Sequence, residues 1–472
     1  MVIGRLANGL IQGVEDAGSA LSEALFEPVI RVGVTGFARA GKTVFITSLV
    51  ANLMDRGRMP GLAAAAEGAI TGAWLQPQPD DTVPRFAFEQ HLAALTGPAP
   101  HWPEPTSAVS ELRLSLKVQP RGMLGTLSGP RTVHLDIIDY PGEWLLDLEL
   151  MDQSYDDWSA EILARAEPRS AAAPFLETLR ETDCDAEFGE TAAQALAESY
   201  TAYLRAARAD GFSDCTPGRF LMPGELAGSP ALTFAPLPRP ETRPSRGALR
   251  REMERRYEAY KSRVVKPFFL DHFARIDRQV VLVDLLGAIH SGPAAVEDLG
   301  RSMNDILGAF RPGRNAWLTR LLGQKRVERI LFAATKADHI HHSQHGQMTA
   351  IMEAMLRQAR DRADFAGAKT RAMAIASLRA STEETRSVDG AELGMVRGRL
   401  EDGRDAVLYP GTLPEDPSRL LVPAQQGAER WLDGDYSVMK FAPAASTLKP
   451  GEGPPHIRLD RAAEFLIGDK LR

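Results

Sequence analysis

Short β-branched runs separated by longer stretches of helical periodicity recur along this chain. That is the pattern of a mostly parallel sheet flanked by helices, an α/β fold. Val29-Ile30-Arg31-Val32-Gly33-Val34 reads as a buried strand, and Val44 to Met54 as the helix that follows it. Residues 111–118, ELRLSLKV, alternate as a strand does, and Val133 to Ile138, Val280 to Leu285, Ile330 to Ala334 and Met373 to Ala376 read as further strands. Between Ile138 and Val280 the periodicity turns helical, over Trp158 to Arg165, Glu190 to Ala209 and Arg246 to Asp277. A Pro-rich linker, SPALTFAPLPRPETRPS, precedes the last of these. Residues 55–105, rich in Gly, Pro and Ala, predict one long connecting region. A strand over Tyr436 to Phe441 and a closing helix around Leu459 to Leu471 complete the chain. At its start, Ile3, Leu6, Leu10, Val14, Leu21 and Leu25 recur at roughly helical spacing.

The connections carry the chemistry. Gly36-Phe37-Ala38-Arg39-Ala40-Gly41-Lys42-Thr43 fits the phosphate-loop pattern G-x-x-x-x-G-K-[ST], and it stands between a strand and a helix as that loop requires. Its glycines let successive N–H groups, through Val44, turn toward phosphate oxygens at a helix N-terminus. Lys42 is expected to reach the β- and γ-phosphates, and Thr43 to offer a hydroxyl to Mg²⁺. Asp139 closes the strand at 133–138 and begins a D-x-x-G run ending at Gly142. An aspartate there holds Mg²⁺ through water, and the glycine N–H senses the γ-phosphate. Asp136 is a competing ligand, but it lies mid-strand.

Thr335-Lys336-Ala337-Asp338 is close to the N-K-x-D signature of guanine-nucleotide proteins, with Thr in place of Asn. A carboxylate at Asp338 accepts from guanine N1–H and N2, a donor pair that adenine lacks, while the Lys336 stem covers the ring. Ser377 and Leu378 occupy the position of a loop whose amides meet the base oxygen. Thr106, on a Pro-rich segment ahead of 111–118, is assigned to Mg²⁺ and the γ-phosphate, with Thr82, Thr96 and Ser107 as alternatives. Glu143 stands where efficient enzymes of this type carry Gln. A carboxylate can orient water, but its charge beside polyphosphate is unfavourable, so hydrolysis is expected to be slow. Arg39 or Arg85 would supply compensating charge. The expected catalytic set is therefore Lys42, Thr106, Gly142 and Glu143, and the expected metal set is Thr43, Thr106 and Asp139.

Composition narrows the alternatives. The chain has 472 residues, enough for a core domain with insertions, and its formal charge of −7 argues against nucleic-acid binding by the chain as a whole. Two cysteines form no disulfide framework, which fits a reduced cytoplasm. The N-terminal stretch lacks the marks of a signal peptide, and its acidic residues disfavour the alternative of peripheral membrane contact.

Taken as a set, GFARAGKT, WPEPT, DYPGEW, LVDLLGAIHSG and FAATKADHIHHSQH resemble the YcjX family of bacterial stress proteins, over most of the chain. The resemblance implies a Ras-like P-loop fold with unusual insertions, GTP/GDP as ligand, Mg²⁺, and a bacterial cytoplasmic setting linked to stress. The expected organisation is an N-terminal helix over 1–27, a discontinuous nucleotide-binding core over 28–142 and 279–384, a mainly helical insertion over 143–278 and a C-terminal α+β segment over 385–472. Function is expected to be that of a GTP-controlled switch and slow GTPase. Its partner or activator is an unidentified protein that acts through the insertion. The alternatives are an ATP-driven chaperone-like NTPase and a GTP-stabilised scaffold with little hydrolysis. His339, His341, His342 and His345 are spaced for a metal site, but few carboxylates accompany them in sequence, so a polar loop near the nucleotide is the preferred reading. The basic stretch 311–329 reads as a solvated helix rather than a lipid or RNA contact.

Overall fold

Ten strands are arranged in two sheets in the computed structural model, which describes residues 27–37, 39–104, 108–119, 129–240, 244–309, 327–365, 368–388, 390–426, 440–444 and 448–472. The main sheet contains β1 (Val29–Gly36), β2 (Ile70–Gln76), β3 (Ser110–Val118), β4 (Arg131–Asp139), β5 (Arg278–Val283), β6 (Arg329–Ala334) and β7 (Lys369–Ala374). Their spatial order is β2-β3-β4-β1-β5-β6-β7. β4, β1, β5, β6 and β7 run parallel, whereas β3 is antiparallel to β4 and β2 to β3. This is the mostly parallel α/β core that the strand pattern predicted, in the Ras-like P-loop form that the resemblance implied, with one strand added at an edge.

The central strands are apolar throughout because both faces are covered. All six residues of β5 are buried, and β1 is buried from Val32 onward. One face packs on α1 (Lys42–Met54) and on a helix at the C-terminal end, Leu459–Ile467, with Phe45, Leu49, Leu112, Leu282, Leu331 and Leu466 in one cluster. The other face, through Val281, Val283 and Phe332, joins a core shared with the helical segment between β4 and β5. Tyr140, Trp144, Trp158, Tyr200 and Tyr257 belong to that core. The segment contains α2 (Tyr155–Ala166), α3 (Glu190–Ala209) and α4 (Leu249–Tyr260). The helix expected to run on to Asp277 instead passes through a π-helical turn at Lys261–Val265, a short helix at Lys266–Asp271 and a 3₁₀ turn.

Two expectations need correction. Residues 55–105 are not one connecting loop, since they contain β2 and a helix at Phe88–Thr96. β2 is a half-exposed edge strand, with Trp74 37% exposed, so its sequence lacks the apolar run of the central strands. Beyond β7 a second sheet is formed by β8 (Ser381–Val388), β9 (Ala391–Arg399) and β10 (Asp405–Leu408). These strands are mostly exposed, which is why their alternation is weak. The expected strand at 436–441 falls largely outside the described residues, and Phe441 within them pairs with Leu400 as an isolated bridge. The expected N-terminal helix, most of the basic stretch 311–329, Ala38 and Thr106 also lie outside them.

Candidate nucleotide site

The parallel strands all end at one edge of the sheet, and the motif residues are carried there. Gly36 ends β1 opposite Leu282 of β5, and Asp139 ends β4 opposite Val34. α1 starts at Lys42 directly after Gly41, whose left-handed φ of 78° turns the loop back into the helix. Arg39 is also left-handed, at φ 64°, and Lys336, at φ 60°, is another of the three non-glycine residues with positive φ among those described. Two of these three costly conformations thus fall in the phosphate loop and the Thr-Lys-x-Asp turn. Lys42 and Val44 are half-buried, Thr43 is buried and Gly41 is exposed.

Gly142 sits directly against the start of the phosphate loop. A Cβ at this position would lie 2.6 Å from the Gly36 carbonyl oxygen, so only glycine allows this approach. Asp139 is 1% exposed. Asp136, the competing ligand, is held by Arg113 through bonds of 2.6 and 2.9 Å and is thereby committed to the sheet. The remaining oxygen donors, the Thr43 hydroxyl and the Asp139 carboxylate, suit a hard cation such as Mg²⁺.

The turns after β6 and β7, where base reading was expected, meet as well. Ala337 N–H donates to Ile375 O at 3.0 Å, joining the turn after β6 to the turn after β7. Asp338 is buried, and its Oδ2 accepts from Ala380 N–H at 2.8 Å. Ser377 and Leu378 lie buried in the same connection. Lys336 forms an ion pair with Asp284 at the end of β5, and Asp284 also accepts from Gly287 N–H at 3.0 Å to cap α5 (Leu285–Ser291). Asp284 was not foreseen, although a strand-end carboxylate in LVDLLG is a signal that sequence reasoning can use.

Glu143 does not face open solvent. It is 3% exposed, and its Oε1 is 3.0 Å from Arg208 at the C-terminal end of α3. Further contacts come from the same helical segment. Gly218 N–H donates to Asp147 Oδ1 at 2.8 Å, the Tyr260 hydroxyl donates to Asp147 Oδ2, and the Arg219 guanidinium lies 3.2 Å from the Trp144 ring centroid. A cavity of about 80 Å³ is lined by Phe37, Arg39, Glu143, Arg208 and Asp284. Arg85 is paired with Glu89 at 2.7 Å, and nothing brings it to the phosphate loop. No pattern in the sequence pairs Glu143 with a residue as distant as Arg208.

The YcjX-like family, DUF463, matches residues 30–471, which is nearly the whole described chain. The chain belongs to the YcjX-like family. Two relatives are named Ras-like GTPase YcjX. The one from Escherichia coli (strain K12) is 36% identical over 461 residues, covering 94% of this chain and 96% of the relative. The one from Shewanella oneidensis is 35% identical over 468 residues, covering 94% of each. Among the described residues, no helix is long and apolar enough to cross a membrane.

Proposed function

We propose that this member of the YcjX-like family is a Mg²⁺-dependent guanine-nucleotide switch with slow GTPase activity, acting in the bacterial cytoplasm in a stress response. The observation that carries the reading is the convergence of Gly36–Thr43, Asp139–Gly142 and Lys336–Asp338 on one edge of the sheet. The names of the relatives, Ras-like GTPase YcjX, support the GTPase part of it. The loop amides and Lys42 hold the phosphates, and Asp338 reads the guanine edge. Thr43 and Asp139, together with Thr106, provide the oxygen ligands for Mg²⁺, which neutralises phosphate charge when bound. Gly142 N–H senses the γ-phosphate.

Glu143 has a different part from the one its position suggested. Its charge is matched by Arg208, which reduces its repulsion toward phosphate and ties the D-x-x-G turn to the helical segment. Movement of Gly142 on hydrolysis is therefore transmitted to 143–278, the surface on which a protein partner would act.

Calorimetry with GDP, GTP, ADP and ATP in the presence of Mg²⁺ tests the reading. Guanine nucleotides are expected to bind at least tenfold more tightly than their adenine counterparts. Equal affinity, or preference for adenine, would reject the assignment of Asp338 and favour an ATPase. Guanine binding without single-turnover hydrolysis would leave a GTP-stabilised scaffold.

A further inference from the structure

We propose that His341, His342 and Glu383 form a binding site for a divalent cation of the zinc class, separate from the nucleotide site. The two histidines follow the base-reading loop, and Glu383 comes from β8 of the second sheet, so the carboxylate missing from the local sequence is supplied by tertiary structure. One ligand atom from each residue lies within 4.8 Å of the others. His342 Nδ1 is 2.6 Å from Glu383 Oε2, and His341 Nε2 is 4.0 Å from the same oxygen. Ligands bound at about 2.0–2.1 Å around a tetrahedral ion stand roughly 3.3 Å apart, so small side-chain rotations would bring all three into place.

The surroundings favour this arrangement over a chance pair. His341 is pressed against β9, where a Cβ at Gly394 would come within 2.6 Å of its ring, and the two imidazole centroids are 4.2 Å apart. The short His342–Glu383 contact is a hydrogen bond, whose proton a cation bound among the two imidazoles and the carboxylate would displace. Ser343 Oγ, 2.9 Å from His341 Nδ1, accepts that nitrogen's proton in the tautomer that frees Nε2 for a metal. The Ser343 backbone N–H, 3.4 Å from the same nitrogen, donates to it in the other tautomer, so metal binding at Nε2 exchanges this long bond for the one to Ser343 Oγ. Arg379, 3.7 Å from the other oxygen of Glu383, balances charge without occupying Oε2. Two imidazoles and a carboxylate are a ligand set for Zn²⁺, and they leave the fourth position to water.

The other two histidines of the run have structural roles. His345 is held by Ala337 O at 2.7 Å and by Arg458 at 3.0 Å, and His339 is buried with its ring edge against Phe441. A cation at His341, His342 and Glu383 would join the segment that follows Asp338 to the second sheet and hold the base-reading loop from outside.

The test is a zinc titration of the full-length, chelator-stripped protein in excess Mg²⁺, with Co²⁺ absorption as a second readout. The parent is expected to bind one equivalent of Zn²⁺. His341→Ala, His342→Ala and Glu383→Gln should each lower zinc affinity at least tenfold and abolish the cobalt d–d bands. His342 is 66% exposed, so its replacement leaves the fold intact and separates loss of the site from loss of structure. Absence of a stoichiometric equivalent in the parent, or unchanged affinity in His342→Ala, would overturn the proposal. The outcome does not depend on which nucleotide the protein binds.

Discussion

Asp338 is a buried carboxylate whose Oδ2 accepts from Ala380 N–H, which would align the group for the base reading proposed for it. A site built to hydrogen-bond a particular donor pair discriminates strongly, because a mismatched base leaves buried polar groups unpaired. Asp338→Asn is expected to weaken GTP binding at least tenfold and to shift preference toward xanthosine triphosphate, measured by calorimetry. Unchanged guanine affinity would remove Asp338 from base reading. Its position was legible because the motif lies within four consecutive residues. Asp284, the partner of Lys336, was not, because it comes from a neighbouring strand.

The element that distinguishes this molecule is the turn from Gly142 to Asp147, packed between the phosphate loop and the helical segment. Gly142 touches Gly36, Glu143 is held by Arg208, Trp144 lies under Arg219, and Asp147 at the far end is held by Gly218 and Tyr260. Arg208→Ala would leave the Glu143 carboxylate buried without its counter-charge, at a cost of about 1–3 kcal/mol, measurable as a lower urea midpoint. GTP turnover should change in the same variant, and Glu143→Gln in the Arg208→Ala background should restore much of the stability by removing the buried charge. If the double variant is no more stable than Arg208→Ala, the ion pair is not what holds the turn. Strand and helix identities here were readable from periodicity. The clamp was not, since its members are scattered from 143 to 260.

At the scale of the whole molecule, burial of carboxyl groups sets the pH response. Burial pushes Asp147 up to about 7 against the bonds from Tyr260 and Gly218. Burial, reinforced by the Asp136 charge, does the same to Glu111. Glu149 and Asp305 are raised too, first by burial. A carboxyl whose folded pKa exceeds its unfolded value binds a proton on folding, so stability falls as pH rises through the folded value. Burial lowers His339 and His345, and these oppose the trend by costing stability as pH falls through the ordinary histidine value of 6.5. The unfolding midpoint is therefore expected to rise as pH falls from about 8, and the histidines offset part of that rise below 6.5. Asp147→Asn should flatten the rise. An unaltered slope in that variant would assign the effect to other groups.

The sequence by itself determined the strands, the phosphate loop, the D-x-x-G turn and the Thr-Lys-x-Asp turn. Each depends on neighbours a few residues apart, where steric limits on the backbone and the period of apolar positions act directly. Only the tertiary structure decided that β2 joins the edge of the main sheet, and that Asp136 belongs to Arg113 while Asp139 stands at the site. It also decided that Glu143 answers to Arg208 and that Glu383 comes to His341 and His342. Those choices join residues far apart in the chain. Packing of the two sheet faces fixes them, and no local pattern encodes which distant side chain fills a given position.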